Sequence, residues 1–444
     1  MKRALLISMP FKVGIGGFIR SYNVFPRLAK SLAESYEVEL FIPVNAIRTV
    51  MKIYLLEILS RDDNIKLLDH VNAVNDKIQD DIRDLERLSN YSFMINEKVL
   101  ERALKVNSEL LLKEHRENEK YFRVMSIRAG LLNALHPLLM RFFENKYIIK
   151  VKELYQGSYD FIYSQHETID ALEVLRMLSK QSKRVIILLQ SNIGRNRVER
   201  VMSEKIMSDI SRRTHISGFL SVSPQPIVET PFLLKFVKPE NIRILYSAVA
   251  IDPKLLDYAR EIKHLNSAVF FGRLTVEKGI IDLLKAWKHV IAIEPQAILT
   301  LIGLPESNYV DKILRDAVAQ MRDNIRYIGY IPHGEKLFQI VSRHKVLAYP
   351  SRRDSFSLTV LESLAMGLRV VAYDIPALRY IYQGSRLVKL LPPGDYKQLA
   401  LKIIESFKED TREDSITSRI LSAHSSWEKV ALGEYRCLLE LVTK

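Results

Sequence analysis

Two carboxylates lie in the segment Pro350–Gly367, one in a loop that contains small polar residues and one in the helical pattern that follows it. An apolar run ends at Pro350 and a helical pattern begins near Leu358, so the amides between them lie at a helix N-terminus, which favours an anion. Asp354 precedes this helix and Glu362 lies inside it. The arrangement suits a ligand with hydroxyl groups at both ends and phosphate between them. A capping acid followed by a solvated helix glutamate is the alternative.

A second apolar run is followed by two cations. The stretch Gly272–Gly279 reads Gly-Arg-Leu-Thr-Val-Glu-Lys-Gly. Arg273 offers phosphate a bidentate fork, and Lys278 offers a compact point charge. If they face the loop around Ser355, the two cations would neutralise a diphosphate. A solvated loop between a strand and a helix is the alternative.

Short apolar runs alternate with helical patterns throughout the second half of the chain. Each run stops at a glycine, a proline or an aspartate, which is where ligand loops lie in open α/β sheets. The runs are Ala268–Phe271, Ala297–Ile302, Ile325–Ile328, Val346–Tyr349 and Val370–Tyr373. The pattern predicts a doubly wound domain with parallel strands.

The first half shows the same alternation, interrupted by a polar stretch. The predicted strands are Ala4–Ser8, Val38–Ile42, Ile65–Leu68, Phe161–Tyr163, Val185–Leu189, Phe219–Val222 and Ile242–Leu245. Gly16 and Gly17 lie in a predicted loop after the first strand, before a helical pattern from about Ile19. Residues from about 71 to 150 are predicted to form a helical elaboration. The chain is therefore expected to be an α/β protein with two doubly wound domains and a cleft between them.

Composition is that of a globular protein. The 444 residues are 48% hydrophobic and 27% charged, which excludes collagen-like, low-complexity and largely disordered chains. The single cysteine, Cys437, excludes an internal disulfide framework and a cysteine-based metal cluster. No stretch reaches the roughly 18 apolar residues of a membrane span, and no signal-peptide core is seen. The expected location is the cytoplasm.

Positive charge is in excess and is unevenly distributed. Sixty-six Lys and Arg against 52 Asp and Glu give a formal net charge of +14, which attracts polyanions. Between Arg123 and Lys152, six basic residues and one acid, Glu144, are interleaved with leucine and phenylalanine. This pattern is typical of a helix that contacts an anionic membrane surface. A core-packing helix with a solvated charged face is the alternative.

Taken together, these motifs resemble the retaining GT-B glycosyltransferases of family 4. The resemblance rests on Gly272–Gly279, on the spacing of Asp354 and Glu362 before Ala-Met-Gly, and on the Gly16-Gly17 pair. It also includes the stretches Ile242–Asp252, Tyr327–Pro332 and Ser426–Trp427. The resemblance implies a GT-B fold, which has two Rossmann-like domains with the active site in the cleft between them.

The resemblance also implies a domain layout. An acceptor-binding N-terminal domain would span residues 1–250, including the elaboration at about 71–150, and a linker would span 251–265. A nucleotide-sugar-binding domain would follow at 266–423. A C-terminal helix at 424–444 would return to the N-terminal domain.

The implied donor site has four parts, which bind the diphosphate, the transferred sugar, the ribose and the base. The diphosphate would contact Arg273, Lys278, Gly16, Gly17, Ser357, Leu358 and Thr359. The sugar would contact Asp354, Ser355, Phe356 and Ser357. Glu362 would bind the ribose, and Tyr330 and Ile331 would line the base.

Asp354, Glu362 and His166 are the expected catalytic residues. Asp354 stands where the resembled family has a longer glutamate, and Ser-Phe-Ser at 355–357 replaces Gly-Phe-Gly, so the donor sugar stays open. His166 follows a predicted strand, whereas the family's other common histidine position is Gln190 here. A lone histidine is more often structural than catalytic, and that alternative stays open as well.

The implied activity is transfer of a hexose from a UDP-, GDP- or ADP-sugar to a hydroxyl acceptor with retention of anomeric configuration. Cations and amides would stabilise the charge that develops on the departing nucleoside diphosphate. No cofactor and no metal are expected, and no nucleic acid. The acceptor would be lipid-linked or amphiphilic, as in the synthesis of lipid-linked oligosaccharide, glycolipid or polysaccharide. Peripheral contact with the inner face of the plasma membrane is compatible with this activity.

Three other functions fit parts of the sequence. A catalytically inactive GT-B scaffold subunit fits the aspartate at position 354, and a basic nucleic-acid-binding protein fits the net charge, although no recognised nucleic-acid module is seen. A dinucleotide oxidoreductase fits Gly14-Ile15-Gly16-Gly17. That fingerprint, however, needs a glycine where Ile19 stands and an acid at the end of the second strand.

We expect the segment Arg123–Lys152 to dock on an anionic membrane, because each Lys or Arg near such a surface contributes about 1 kcal/mol. Changing Arg128, Arg141 and Lys146 to Glu should abolish co-sedimentation with anionic liposomes at low salt. Equal binding by the wild type and the variant, or no binding by either, would mean that the basic residues form only a solvated face. Pro137 kinks or divides any helix there.

Overall fold

The computed structural model of the protein describes residues 2–7, 15–41, 157–191, 193, 197–260, 266–331, 333–409 and 414–443. The predicted strand at 65–68, the elaboration at about 71–150 and the basic segment at 123–152 lie outside the described residues. Among the described residues, no helix has the length and apolar character needed to cross a bilayer.

The described part of the first half contains a parallel sheet of six strands in the order β2-β1-β3-β4-β5-β6. The strands are β1 (Lys2–Ile7), β2 (Tyr36–Phe41), β3 (Phe161–Ser164), β4 (Arg184–Leu189), β5 (His215–Ser221) and β6 (Ile242–Ile244). Its longer helices are α1 (Ile15–Ala33), α2 (Ile169–Leu178) and α3 (Arg197–Arg213), and a short helix α4 (Gln225–Glu229) follows β5. The order shows that the chain first builds away from β1 on one side and then on the other.

The second half repeats the design, with its described strands in the order β12-β11-β10-β7-β8-β9. The strands are β7 (Ser267–Phe271), β8 (Ile298–Ile302), β9 (Ile325–Gly329), β10 (Val346–Tyr349), β11 (Arg369–Tyr373) and β12 (Val388–Leu391). The helices are α5 (Ile280–Ile293), α6 (Asn308–Gln320), α7 (Glu335–Val341), α8 (Leu358–Ala365), α9 (Pro376–Tyr382), α10 (Tyr396–Lys408), α11 (Ser415–Ala423) and α12 (Trp427–Val442). A 3₁₀ helix at Pro253–Arg260 precedes this half.

The strands form because their apolar runs are buried on both faces of each sheet. In β7 every residue from Ser267 to Phe271 is buried, and β10 and β11 are buried throughout. Near-continuous apolar sequence is what a parallel sheet with helices on both faces requires. Helix α5 buries Trp287 completely, in the same core as these strands. These strands are therefore the central layer of the second half, whereas β9, at the edge of the sheet, exposes Arg326 and Ile328 within the strand.

Helix α12, the last of the chain, packs against α1, the first helix described. Glu434 of α12 is fully buried and forms an ion pair with Arg20 of α1. The Tyr163 hydroxyl and the Gln165 amide donate to the other oxygen of the same carboxylate, at 2.6 and 3.2 Å. Arg20 Nε also donates to the Ala248 carbonyl at 2.6 Å. The two ends of the chain are thus joined through a buried charge with several partners.

We expect Glu434→Gln to lower the free energy of unfolding by about 3–5 kcal/mol, because it leaves the Arg20 guanidinium buried without its counterion. The matched control is Glu428→Gln on the same helix. Glu428 pairs with Arg27 of α1 at 2.7 Å, but its side chain is 67% exposed, so the loss should stay below about 1 kcal/mol. Urea unfolding followed by circular dichroism compares the two. If both variants lose the same free energy of unfolding, the buried Arg20–Glu434 pair contributes no more to stability than the exposed pair.

Candidate functional site

The second sheet reverses its strand order between β7 and β10, which are neighbours in the sheet but far apart in sequence. The loops that leave their carboxyl ends, 272–279 and 350–357, therefore lie on either side of one crevice. Ligands of open α/β sheets bind at such a switch point. The two strand ends that the sequence analysis selected are the two that border this crevice.

Lys278 and Asp354 form an ion pair across the crevice. Lys278 Nζ lies 2.7 Å from Asp354 Oδ2 and also donates to the Tyr349 hydroxyl at 3.0 Å. Tyr349, the last residue of β10, donates its hydroxyl proton to the same Oδ2. One oxygen of Asp354 is therefore held by two donors, and the pair is largely shielded from solvent.

The three groups shift one another's pKa values. Burial by itself would lower the pKa of Lys278, but the neighbouring Tyr349 and Asp354 raise it above its ordinary value. Burial would raise the pKa of Asp354, but the Lys278 charge and the hydrogen bonds from Lys278 and Tyr349 lower it. Burial and the Asp354 charge raise the pKa of Tyr349. At neutral pH the crevice therefore contains an ammonium, a carboxylate and a neutral phenol.

Gly279 lets the Lys278 loop approach the end of β10. Its φ is +77°, and a Cβ at this position would lie 1.9 Å from the carbonyl oxygen of Pro350. No other residue fits, because both the backbone conformation and the available space exclude a side chain. Helix α5 begins at the next residue, Ile280. The close contact places Lys278 at the mouth of the crevice, just before the helix.

Ser357 ends the second loop in a left-handed conformation, with φ +61° and ψ +61°, and α8 begins at Leu358. The amides of Leu358 and Thr359 belong to the first turn, where a helix has no internal partners for its N–H groups. Phe356 is buried and its ring packs on His424 at 5.5 Å, whereas Ser355 is half-buried. The loop therefore presents helix-terminal amides beside Asp354, as an anion site requires.

Glu362 lies one turn further along α8 and is almost fully buried. Its Oε1 lies 2.6 Å from Nε2 of His333, in the loop between β9 and α7. Tyr330 and Ile331 precede His333 in that loop; Tyr330 is half-exposed, and Ile331 packs against the core. Glu362 and the predicted base loop are thus in direct contact through a residue that the sequence analysis did not select.

Arg273 differs from the other predicted residues of the donor site. It follows directly on the end of β7 and is exposed, and within the described residues its guanidinium has no hydrogen-bond or ion-pair partner. Of the two predicted phosphate cations, Lys278 is the one that has an ion-pair partner within the described part of the chain.

Two bonds connect the Asp354 loop to the first half of the chain. Arg353 forms an ion pair with Glu229 of α4, and the Ser223 hydroxyl donates to the Ser355 carbonyl. Arg353 also lies 3.9 Å from Glu277. The residues on either side of Asp354 therefore contact the opposite half directly.

His166 follows β3, beside the point where the first sheet reverses its strand order between β1 and β3. Its side chain is buried, and burial together with the Arg20 charge lowers the pKa of His166 to about 3. Its Nδ1 lies 3.4 Å from the Gln190 amide nitrogen. The neighbouring Glu167 accepts from the amides of Gln190 and Ser191, at 3.0 and 2.8 Å. A neutral imidazole thus lies between two strand ends.

The sequence analysis expected Gly16 and Gly17 to lie in a loop, but they lie in a helix. Helix α1 begins at Ile15, so both glycines occupy its first turn. The predicted helix start near Ile19 is therefore too late, because glycine disfavours the helix interior and masks the pattern. The first turn still carries free amides, which suit an anion.

Sequence reasoning missed three side chains around the two carboxylates: Tyr349, His333 and Tyr382. Tyr382 ends α9, is buried, and has no hydrogen-bond partner for its hydroxyl among the described residues. Burial raises the pKa of Tyr382, and the neighbouring Asp354, Tyr349 and Glu362 raise it further. Tyr349 and His333 carried a usable signal, because both are polar residues where a strand ends.

Comparison with known proteins gives a family match in the second half of the chain and more distant relatives. Residues 266–409 match the family model described as Glycosyl transferases group 1. The O-antigen chain mannosyltransferase B of Escherichia coli is 28% identical over 36% of this chain and 42% of that protein. The phosphatidyl-myo-inositol mannosyltransferase of Mycobacterium leprae is 26% identical over 48% of this chain and 51% of that protein. The chain thus spans about half, or less, of these relatives' length.

A third relative is the GDP-mannose:cellobiosyl-diphosphopolyprenol alpha-mannosyltransferase of Xanthomonas campestris, 25% identical over 32% of this chain and 37% of that protein. Among solved structures, Anabaena HepE in complex with UDP has a TM-score of 0.58 and 15% identity over all of both chains. The lipopolysaccharide outer core galactosyltransferase WaaB has a TM-score of 0.56 and 12% identity over 99% of both. The predicted GT-B fold is confirmed.

We expect Ser357→Gly to raise the free energy of unfolding by about 0.5–1 kcal/mol. A side chain in the left-handed region costs roughly 1–2 kcal/mol, part of which the greater freedom of glycine in the unfolded chain offsets. Ser363→Gly, in the right-handed interior of α8, should instead destabilise by about 0.5–1 kcal/mol. Chemical denaturation measures both, and the same sign for the two variants would refute the strain at Ser357.

Proposed function

We propose that the protein transfers a hexosyl group from a nucleoside diphosphate sugar to a hydroxyl group of an acceptor, with retention of anomeric configuration. The observation that carries this proposal is the Lys278–Asp354 pair at the switch point of the second sheet, with the buried Glu362 on the same helix-terminal side. A cation and helix-terminal amides between two carboxylates suit a diphosphate that joins two hydroxyl-bearing rings.

Each side chain then has a role in the reaction. Lys278 and Arg273, with the amides of 357–359 and of the first turn of α1, bind the diphosphate and stabilise the negative charge that grows on it as the glycosidic bond breaks. Asp354 orients the transferred sugar, Glu362 binds the ribose, and the acceptor hydroxyl attacks from the face that the diphosphate leaves. Because protein cations neutralise the leaving group, the proposal requires no metal, and chelation with EDTA should leave the rate unchanged.

Lys278 must change its bonding when the donor binds. In this state of the protein it is paired with Asp354, so a diphosphate would share the ammonium with the carboxylate or displace it. Asp354 Oδ1 is not engaged by Lys278 or Tyr349. The Ser357 hydroxyl also interacts with the Asp354 carboxylate and lowers its pKa, so a sugar hydroxyl would share the carboxylate with Ser357. The buried Tyr382 hydroxyl, unpartnered among the described residues, is a further candidate contact.

His166 would act as a neutral group on the acceptor side. With a pKa lowered to about 3 by burial and by Arg20, its imidazole carries no charge at neutral pH and can accept or donate a hydrogen bond. A neutral imidazole at this strand end suits contact with a sugar or acceptor hydroxyl. Glu167 holds the adjacent loop at Gln190 and Ser191.

Mannose is the donor sugar we favour, with GDP as the nucleotide. Three similar proteins are named as mannosyltransferases, and the name of one includes GDP-mannose. Two of the names describe lipid acceptors, phosphatidyl-myo-inositol and a diphosphopolyprenol. We therefore propose a lipid-linked or amphiphilic acceptor that binds the N-terminal half, at the inner face of the plasma membrane.

A catalytically inactive GT-B protein is the second candidate. The observation that favours it is the Lys278–Asp354 pair itself, since a carboxylate one methylene shorter than glutamate is tied to the cation that the donor needs. Such a protein would bind a nucleotide without transferring sugar.

One experiment separates the two candidates. UDP-, GDP- and ADP-sugars are screened for thermal stabilisation, where a ligand at 100 times its Kd adds about 2.7 kcal/mol. Transfer to a lipid-linked acceptor is then measured with the donors that bind. Binding with transfer supports the enzyme, and binding without transfer supports the inactive protein. If no donor stabilises the chain, the proposed function fails.

We expect Lys278→Ala to weaken donor binding by roughly 10- to 100-fold, the loss of one charge-assisted contact. Arg273→Ala should weaken it similarly, and its exposed side chain makes misfolding an unsuitable explanation for that loss. Lys285→Ala is the control, since Lys285 lies on α5 and packs over Tyr396. Calorimetric titration of each variant with a donor that stabilises the wild type gives the Kd. If both the Lys278 and the Arg273 variants bind the donor as tightly as the wild type, the diphosphate does not bind at these residues.

A further inference from the structure

Glu362 is a buried carboxylate with one oxygen engaged and one not. Its side chain is 6% exposed, and Oε1 lies 2.6 Å from His333 Nε2. Among the described residues, Oε2 has no hydrogen-bond partner. A carboxylate only accepts hydrogen bonds, so Nε2 must carry the proton and donate it to Oε1. The histidine side chain, in contrast, is 54% exposed.

The position of His333 is fixed from two directions. Gly334, the next residue, has φ +151° and ψ −166°, a conformation open almost only to glycine, and α7 begins directly after it. The imidazole stands edge-on to Phe338 of α7, with ring centres 5.0 Å apart at 89°. Phe338 is itself packed against Tyr258 at 6.4 Å. A row of rings thus connects the 3₁₀ helix before the second domain to the carboxylate.

A fixed donor on Oε1 has a consequence for Oε2. The terminal torsion of a glutamate is broad, so an unrestrained carboxylate samples many orientations. Holding one oxygen fixes the plane of the group and the direction of the other oxygen. A ligand that then donates to Oε2 loses less freedom than one that must first order the side chain.

We propose that His333 is a positioning residue for the ribose of the nucleotide: it holds Oε1 of Glu362 so that Oε2 accepts from a ribose hydroxyl. This inference rests on the proposed function, in which Glu362 binds the ribose. His333 itself need not touch the ligand. Its effect is confined to one contact, so it should alter how the site discriminates ribose hydroxyls and not how it binds phosphate.

The test compares ribonucleotides with nucleotides that lack one ribose hydroxyl. UDP, GDP and ADP and their 2′-deoxy and 3′-deoxy forms are titrated into the full chain, and the ratio of deoxy Kd to ribo Kd is recorded. The variants are His333→Leu, which lacks the donor, and His333→Gln, whose amide N–H can reach the same oxygen. His289→Leu is the control, because this exposed histidine of α5 packs on Tyr396 instead.

In the wild type we expect at least one deoxy form to bind about tenfold more weakly, the loss of one hydrogen bond to a charged group. His333→Leu should reduce that ratio to about twofold, whereas His333→Gln and His289→Leu should retain it. A general loss of folding would weaken all nucleotides alike and leave the ratio unchanged. The ratio therefore isolates the orientation of Glu362.

The inference is overturned if His333→Leu retains the wild-type ratio. It is also overturned if the wild type binds ribo and deoxy forms equally, because Glu362 then does not bind the ribose. In both cases the nucleotide still binds, so sugar transfer from a nucleoside diphosphate sugar stands as the proposed activity, and only the role of His333 or of Glu362 is lost. If no nucleotide binds the wild type, the proposed function fails and this inference fails with it.

Discussion

The buried ion pair between Arg20 and Glu434 is the constraint on which the rest of the architecture depends. It joins the first described helix to the last, so the chain that builds the second sheet must return to the first. Breaking it would leave a charge without water or a counterion, which costs several kcal/mol. Tyr163 and Gln165 bond the same carboxylate from the end of β3, next to His166. One interaction therefore fixes both the return of α12 and the strand end that carries His166.

Each of the two sheets connected by this ion pair has a switch point at which a ligand could bind. Each sheet reverses its strand order once, and the residues of chemical interest follow the strands beside the reversal: His166 in the first half, and Lys278 and Asp354 in the second. The first offers an uncharged, buried imidazole, and the second offers charges and helix-terminal amides. Under the proposed function, the charged donor would bind in the second half and the acceptor beside His166 in the first.

The sequence predicted the strand ends well and the contacts between them poorly. Apolar runs that stop at Gly272, Pro350 or Gly329 mark the carboxyl edge of a parallel sheet, and that edge follows from local pattern alone. The Lys278–Asp354 pair and the His333–Glu362 contact join residues distant in sequence, so their geometry depends on strand order and on loop conformation. At Gly16 and Gly17 the local pattern itself was misleading. Glycine has low helix propensity, which placed the predicted start of α1 too late, whereas the fold includes both glycines in the helix. The domain boundaries and site roles stay predictions.

The position of Asp354 depends on both halves of the chain. Its neighbours Arg353 and Ser355 are bonded to Glu229 and Ser223 of the first half. The carboxylate lies between two residues anchored on the opposite half, so it cannot move without straining those anchors. A molecule that binds the first half and displaces α4 would therefore change the energy of the loop that carries Asp354. Thermodynamic linkage makes such an effect mutual: whatever factor the acceptor imposes on donor affinity, the donor imposes on acceptor affinity. Occupancy of either half would then be communicated through a single loop, without a separate regulatory site.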